Sequence, residues 1–251
     1  DTTRGAVAAR LVIAADGATG TVARAAGWAP NPGAVPALEY ELVVPPAVFE
    51  RLAGAARFDF GVVPHGYAWV FPKRDRLSVG ALSTQRGFGQ LRACLEGYLK
   101  RLGITEIREV ERHGYVVPLR PAAAPFVRNR TLLVGDAAGF ADPITAEGIS
   151  FAALSGALAA EAILEARLDG GGDRVRRAYD RRLEQRILGE LRFARVIAKV
   201  LYDYPRARAA VFRRFGGKLA EAVASAMCGE TTYRQALRRP ANYLRLLRRA
   251  R

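Results

Sequence analysis

Strand-like alternation and short apolar runs dominate the first half of this chain, and helical spacing dominates its end. Residues 10–15, Arg-Leu-Val-Ile-Ala-Ala, form a short buried-strand pattern. Asp16-Gly17 then turns the chain, and Thr19 is placed to cap a short helix running to Gly27. Residues 31–36 are rich in Pro and Gly and read as a linker. Four strand-like runs follow, at 37–44, 57–63, 67–72 and 77–83, with short turns between them as in an antiparallel sheet. A helix near 89–102, a strand near 107–117 and a second linker over 118–125 come next. At 131–135 a strand leads through a tight turn and an irregular loop into a long helix spanning 147–166. From about 173 onward the spacing is helical. Over 187–202 the apolar residues take one side, while Arg192, Arg195 and Lys199 recur three or four apart on the other. That is a basic amphipathic helix; the plainer alternative is a surface helix packed on its own domain.

This order predicts an α/β class with an α+β arrangement overall. A Rossmann-like part, formed by 1–30 and 121–170, is interrupted by an antiparallel-sheet domain over 31–120 and followed by a basic helical region over 171–251. With 251 residues, half of them hydrophobic, the chain can bury a sizeable core.

Charge adds one feature. The formal net charge is +15, and residues 172–251 hold about 21 Lys/Arg against about 7 Asp/Glu. Such an excess favours anionic partners, a membrane surface before nucleic acid, although a solvated basic face accounts for it equally well. Cys94 and Cys228 are the only cysteines, and His65 and His113 the only histidines. Neither pair makes a disulfide framework or a metal cluster, so no metal is expected and both thiols are read as free in a reducing cytoplasm. No apolar run is long enough to span a bilayer, so membrane contact would be peripheral, at the inner face. The first residue is Asp1, and the chain opens almost directly on a strand, which reads as a piece of a longer protein.

The chemistry concentrates in residues 131–164. Gly135-Asp136-Ala137-Ala138-Gly139 puts a carboxylate at the end of a strand, among residues small enough for a large ligand to approach the backbone. Such a carboxylate accepts hydrogen bonds from vicinal hydroxyls. Downstream, Glu147-Gly148-Ile149-Ser150 open the long helix. Its first amides lack intrahelical acceptors, and with the helix dipole they put partial positive charge there. Tyr67, Trp69 and Phe71 point to one face of their strand and suit either a sheet core or a lipid-shaped pocket.

Three stretches carry a resemblance. Gly135, Asp136, Ala138, Gly139, Asp142, Pro143, Glu147, Gly148, Ile149, Ala152, Ser155 and Gly156 match, in register, the second flavin fingerprint of FAD-dependent oxidoreductases with the p-hydroxybenzoate hydroxylase fold. Residues 11–24, LVIAADGATGTVAR, resemble the Asp-Gly motif of the same superfamily. Tyr67-Ala68-Trp69-Val70-Phe71-Pro72, followed by Val79-Gly80, resembles a signature of the geranylgeranyl reductase family, and Cys228-Gly229-Glu230-Thr231-Thr232-Tyr233 resembles its C-terminal landmark. Ala146 stands where that family usually has Gly. The family's N-terminal G-x-G-x-x-G unit, which holds the ADP half of FAD, has no counterpart here; Gly170-Gly171-Gly172 is read as a linker.

The resemblance implies FAD as cofactor, bound through Asp16, Gly17, Gly135, Asp136, Ala138, Gly139, Pro143, Glu147, Gly148, Ile149 and Ser150. It implies an isoprenoid lipid or prenyl substrate lying along Tyr67, Trp69, Phe71 and Pro72, and a reduced nicotinamide or another donor of electrons. The catalytic proton donor is not identified; Tyr67 is a candidate by position only, and a structural hydroxyl suits it better. The implied activity is reduction of isoprenoid carbon–carbon double bonds by hydride from reduced flavin. The rivals are a flavin monooxygenase or halogenase of the same fold and, in another class, a non-enzymatic basic binding module or an inactive fragment.

Overall fold

A computed structural model describes residues 5–85, 87–119, 121, 125–166, 171–228 and 230–238. Gly170, Gly229 and residues 120 and 122–124 of the expected second linker lie outside the described residues. In chain order the elements are β1 (Val12–Ala14), α1 (Thr21–Ala25), β2 (Ala34–Val43), α2 (Pro46–Leu52), β3 (Arg57–Phe60), β4 (Gly66–Pro72), β5 (Leu77–Ser83), α3 (Leu91–Arg101), β6 (Glu109–Pro118), β7 (Val127–Arg128) and β8 (Thr131–Leu133). Then come α4 (Gly135–Ala138), α5 (Ile149–Glu165), α6 (Gly171–Leu183), a π-helical turn over Glu184–Leu188, α7 (Gly189–Asp203), α8 (Pro205–Met227) and α9 (Tyr233–Arg238). These elements form two compact units. One comprises Asp1–Gly33, Pro118–Leu201 and Arg206–Arg251, the other Ala34–Val117 and Tyr202–Pro205. The helices after 171 therefore fall with the first unit, apart from the short stretch at the end of α7.

In the first unit a three-stranded sheet has the order β1-β8-β7. β1 pairs with β8 in parallel, Ala14 opposite Leu133, and β7 pairs antiparallel with β8. Leu132 and Leu133 are fully buried in a core with Phe140, Leu158, Ala159, Ala162, Tyr179 and Leu183. α5 supplies Ser155, Leu158, Ala159 and Ala162 to that core at i, i+3, i+4 and i+7, which is why a helix rich in small residues can lie close against the strand. The Tyr179 hydroxyl is buried and donates to the Leu133 carbonyl at 2.8 Å. This satisfies the hydroxyl and fixes α6 to the end of β8.

The amphipathic segment at 187–202 turns its apolar side inward. Ile187, Leu191, Ala194, Ala198 and Leu201 are all buried, so that side is not available to a bilayer. Part of the basic excess is paired: Arg192 donates to Glu184 at 3.0 Å, and Arg181 to Glu165 at 2.7 Å. Among the described residues no helix is long and apolar enough to cross a membrane.

The second unit is a five-stranded sheet, β3-β4-β5-β2-β6, with antiparallel pairing at β3/β4, β4/β5 and β2/β5. α3 packs Leu91, Leu95, Tyr98 and Leu99 with Tyr40, Leu42, Val70, Leu77 and Val79 to form this unit's core. The Tyr98 hydroxyl donates to the Asp59 carboxylate.

Three expectations need correction. Thr19 does not cap α1. The Asp16 carboxylate reaches over the turn and accepts the Val22 N–H at 2.9 Å, because Gly20 leaves space that a side chain would fill; a Cβ there would lie 2.2 Å from Asp16 Cγ. The linker at 31–36 already contains the start of β2, and Pro36 is accommodated because its pairing with β5 begins only at Ala37. α2, absent from the sequence reading, begins with Pro46 in its first turn, where a missing N–H costs nothing.

Candidate functional site

Parallel pairing of β1 with β8 brings two of the recognised motifs together. Both strands end at the same edge of the sheet, so Asp16-Gly17 and Gly135-Asp136 sit side by side beyond their carboxyl ends. This is where open α/β sheets hold their ligands.

Gly135 leaves β8 at φ +52°, and Gly139 closes the single turn of α4 at φ +77°. Both values lie in the left-handed region that glycine adopts without penalty. Gly135 is also pressed on α5: a Cβ there would meet Ala152 Cβ at 3.0 Å and Ala152 Cα at 3.3 Å. Its N–H donates to the buried Ser155 hydroxyl at 2.9 Å, which in turn donates to the Ala152 carbonyl at 3.1 Å. Ser155 was part of the recognised motif but not among the expected ligand residues; its role is to hold the strand-to-turn corner.

Asp136 is half-buried, and among the described residues no hydrogen bond reaches its carboxylate. Burial, with the neighbouring Glu147 charge adding to it, holds its carboxyl above the ordinary value. Oδ1 lies 3.0 Å from where a Cβ would stand on Gly148, so only glycine lets the carboxylate lie over the start of α5. Glu147 is itself a cap: Oε1 accepts the Ser150 N–H at 2.8 Å. A carboxylate at that end is favourable by roughly 1 kcal/mol. Ile149 and Ser150 stand exposed on the first turn.

The loop between α4 and α5 is organised by Asp142. Its buried Oδ1 accepts the Ile144 N–H at 2.7 Å, the Thr145 N–H at 2.8 Å and the Thr145 hydroxyl at 3.2 Å. Asp142 N–H donates to the Glu147 carbonyl at 2.7 Å, and Ala146 N–H donates to the Asp142 carbonyl at 2.8 Å. Pro143 is buried inside this turn. Ala146 takes φ +59°, the conformation the usual glycine adopts freely.

These residues fit a flavin's ribityl chain and ring edge. The Asp136 carboxylate has acceptor capacity and no donor, glycines keep the approach open, and the α5 N-terminus carries the complementary partial charge. Asp16 fits a distal role less directly, since one of its oxygens already caps α1.

The expected substrate residues lie in the other unit. Cross-strand register puts Phe58 and Phe60 of β3, Tyr67, Trp69 and Phe71 of β4, and Leu82, Gly80 and Ser78 of β5 on one face. That face is opposite the one packed on α3, so these aromatics are not the sheet's own core. Gly80 makes room for the indole of Trp69; a Cβ there would lie 2.0 Å from the ring. The Trp69 Nε1–H donates to the Ser78 hydroxyl at 3.3 Å. Tyr67 is 2% exposed and its ring is stacked on Tyr202 at 6.5 Å, beside Phe58 and Phe60. Phe71 and Pro72, at the strand's end, are half-buried.

No family model matches the chain. A digeranylgeranylglycerophospholipid reductase of Methanothermobacter thermautotrophicus is 37% identical over 207 residues, covering 76% of this chain and 50% of that protein. A chloroplastic geranylgeranyl diphosphate reductase of Arabidopsis thaliana is 35% identical over 210 residues, covering 79% and 44%. The chain thus spans about half the length of the curated relatives it matches. Among solved structures, a geranylgeranyl bacteriochlorophyll reductase-like protein from Thermoplasma acidophilum superposes with a TM-score of 0.66 at 24% identity, over 77% of this chain and 51% of its own. A p-nitrophenol 4-monooxygenase from Pseudomonas putida shares the fold at a TM-score of 0.53 and 23% identity, over 80% and 52%. By sequence and by fold, the chain is a relative of the geranylgeranyl reductases.

Proposed function

We propose that this chain carries the flavin-ring site and the substrate sheet of an FAD-dependent reductase of isoprenoid carbon–carbon double bonds. The observation that carries the reading is the half-buried, donorless Asp136 carboxylate lying over Gly148 at the start of α5. Asp136 accepts hydrogen bonds from the ribityl hydroxyls. The α5 N-terminus, held by the Glu147 cap, faces the electron-rich edge of the ring and favours its negative charge. When bound, the flavin supplies hydride to one alkene carbon. Reduced nicotinamide or another donor recharges it. The aromatic face built on Tyr67, Trp69 and Phe71 gives a polyprenyl chain an apolar lane that excludes water. Tyr67 serves that lane as a packed ring, and its burial argues against proton donation from bulk solvent. The exposed cations Arg213, Arg214 and Lys218 of α8 suit a peripheral position on an anionic membrane, where prenyl lipids reside.

The test is to titrate the chain with FAD by fluorescence, then to supply chemically reduced FAD and a geranylgeranyl lipid and weigh the product. Gain of hydrogen alone supports the reading. Gain of oxygen or halogen favours the monooxygenase or halogenase alternative. No flavin binding, with salt-sensitive binding to nucleic acid instead, would point to a basic binding module.

A further inference from the structure

We infer that Tyr233 is a positioning residue for the flavin-ring site, acting as a latch on the Asp142–Gly148 loop. The inference rests on the flavin reading above. α9 begins at Tyr233, which is buried, and its hydroxyl donates to the equally buried Asp142 carboxylate. Asp142 is the hub of the loop: the same carboxylate gathers the Ile144 and Thr145 amides, and the Thr145 hydroxyl accepts the Glu147 N–H at 3.2 Å. From there the path is one residue to Gly148, against which the Asp136 carboxylate lies. A phenol at the C-terminal end of the described chain is thus joined by four successive hydrogen bonds or chain steps to the carboxylate that receives the ribityl chain.

What seats the latch is also visible. The π-helical turn Glu184–Leu188 precedes Gly189, and π-turns inside α-helices recur at functional sites. Arg234, next to Tyr233, comes so close to Gly189 that a Cβ there would lie 2.9 Å from its Nη1. The Arg234 N–H donates to Glu190 Oε1 at 3.2 Å. So α9 is docked at the junction between the π-turn and α7, and that docking delivers the phenol to Asp142. The Tyr233 phenol faces three carboxylates, those of Asp142, Glu190 and Glu147. It donates to Asp142 and stays protonated among the others, as a neutral donor that does not add a charge to the loop.

A residue that only fills space would be replaced by Phe without consequence, because the ring remains. A latch loses its one donor. Tyr233→Phe is therefore measured in two ways on the full chain. Hydrogen exchange in the apo protein reads the loop directly: the Ile144 and Thr145 amides are expected to exchange about tenfold faster than in the parent, with the Leu132 and Leu133 amides of β8 unchanged. Riboflavin, which carries the ring and ribityl chain, is then titrated in its oxidised and its reduced form. Reduced riboflavin is expected to lose about tenfold more affinity than oxidised, because displacement of the loop takes the α5 N-terminus from the ring's negative edge. Unchanged protection at Ile144 and Thr145 overturns the latch, whatever riboflavin does. Faster exchange with equal loss for both redox forms reduces Tyr233 to a structural residue and overturns its role at the ring. If the parent chain binds riboflavin in neither form, the flavin reading fails, while the exchange measurement still decides whether Tyr233 holds the loop.

Discussion

Gly135→Ala offers the sharpest check on the corner that carries Asp136. Two separate penalties act on the new methyl group. The φ of +52° is one an L-residue reaches at about 1–2 kcal/mol. The Cβ would also stand 3.0 Å from Ala152 Cβ and 3.3 Å from Ala152 Cα. Both atoms belong to the buried helix–strand contact, so relief requires α5 to move, which costs about 1–3 kcal/mol. The stiffer unfolded chain returns about 0.4–1 kcal/mol. The net is a loss of about 3 kcal/mol, or a fall of roughly 8 °C in Tm for a chain of this size. Gly156→Ala is the matched control. It lies one turn further along α5 and has nothing within 4 Å of its would-be Cβ, so ordinary helix propensity should stabilise it by about 1 kcal/mol.

Urea unfolding followed by helical circular dichroism reads both variants, since most of the helix is in the first unit. A third variant separates the two penalties. Ala152→Gly in the Gly135→Ala background removes the overlap but keeps the backbone strain, so the pair should show a favourable coupling of about 2 kcal/mol. Equal responses of Gly135→Ala and Gly156→Ala, or a coupling near zero, would refute the close approach on which the corner depends.

Ala146→Gly relieves a left-handed alanine at φ +59°; after the cost of a more flexible unfolded chain and a lost half-buried methyl, a gain of about 0.5 kcal/mol is expected in the same assay. Ser155→Ala leaves the buried Gly135 N–H without its acceptor and should cost about 1–3 kcal/mol, with threonine a poor substitute in so tight a contact. Asp136→Asn should change the pH dependence of apo stability. Because burial and Glu147 raise the Asp136 pKa in the folded state, the native protein binds the extra proton, and its stability falls as pH rises from the ordinary carboxylate range through the raised value. The asparagine variant lacks that fall, so it should gain on the parent near neutral pH and lose the advantage below the ordinary range. Parallel profiles for the two proteins would show that Asp136 is solvated.

The sheet was legible because its signals are local. Tyr67, Trp69 and Phe71 alternate, and the structure carries them on one face. What could not be read was which face, because the aliphatic partners on α3 that claim the other side follow after the strands and carry no mark of direction. α2 was missed for a related reason: Pro45-Pro46 reads as a break, whereas a proline in the first helical turn is also how a helix begins. For α1, Thr19 was the nearest hydroxyl to the helix start, but Asp16 could reach the Val22 amide only because Gly20 is bare, a fact about space rather than about spacing.

The Asp142 loop shows how sequence and tertiary contact divide the work. An alanine at 146 should favour a right-handed backbone on its own account, and the substitution for glycine gave reason to expect the loop to shift. It is nevertheless held at φ +59°. A strain of about 1–2 kcal/mol persists only where several contacts over-determine the geometry, and here they can be named. Asp142 binds the loop at both ends, through its side chain to Ile144 and Thr145 and through its backbone to Ala146 and Glu147. Each of these partners is within five residues and belongs to the recognised motif. The one contact that is not local is the Tyr233 hydroxyl, which arrives from the far end of the described chain. If the local web alone sufficed, Tyr233→Phe would leave Ala146 where it is, and Ala146→Gly would stabilise both backgrounds equally. If the latch shares the strain, glycine at 146 should recover part of what Tyr233→Phe loses, because a loop without backbone strain has less need of being held.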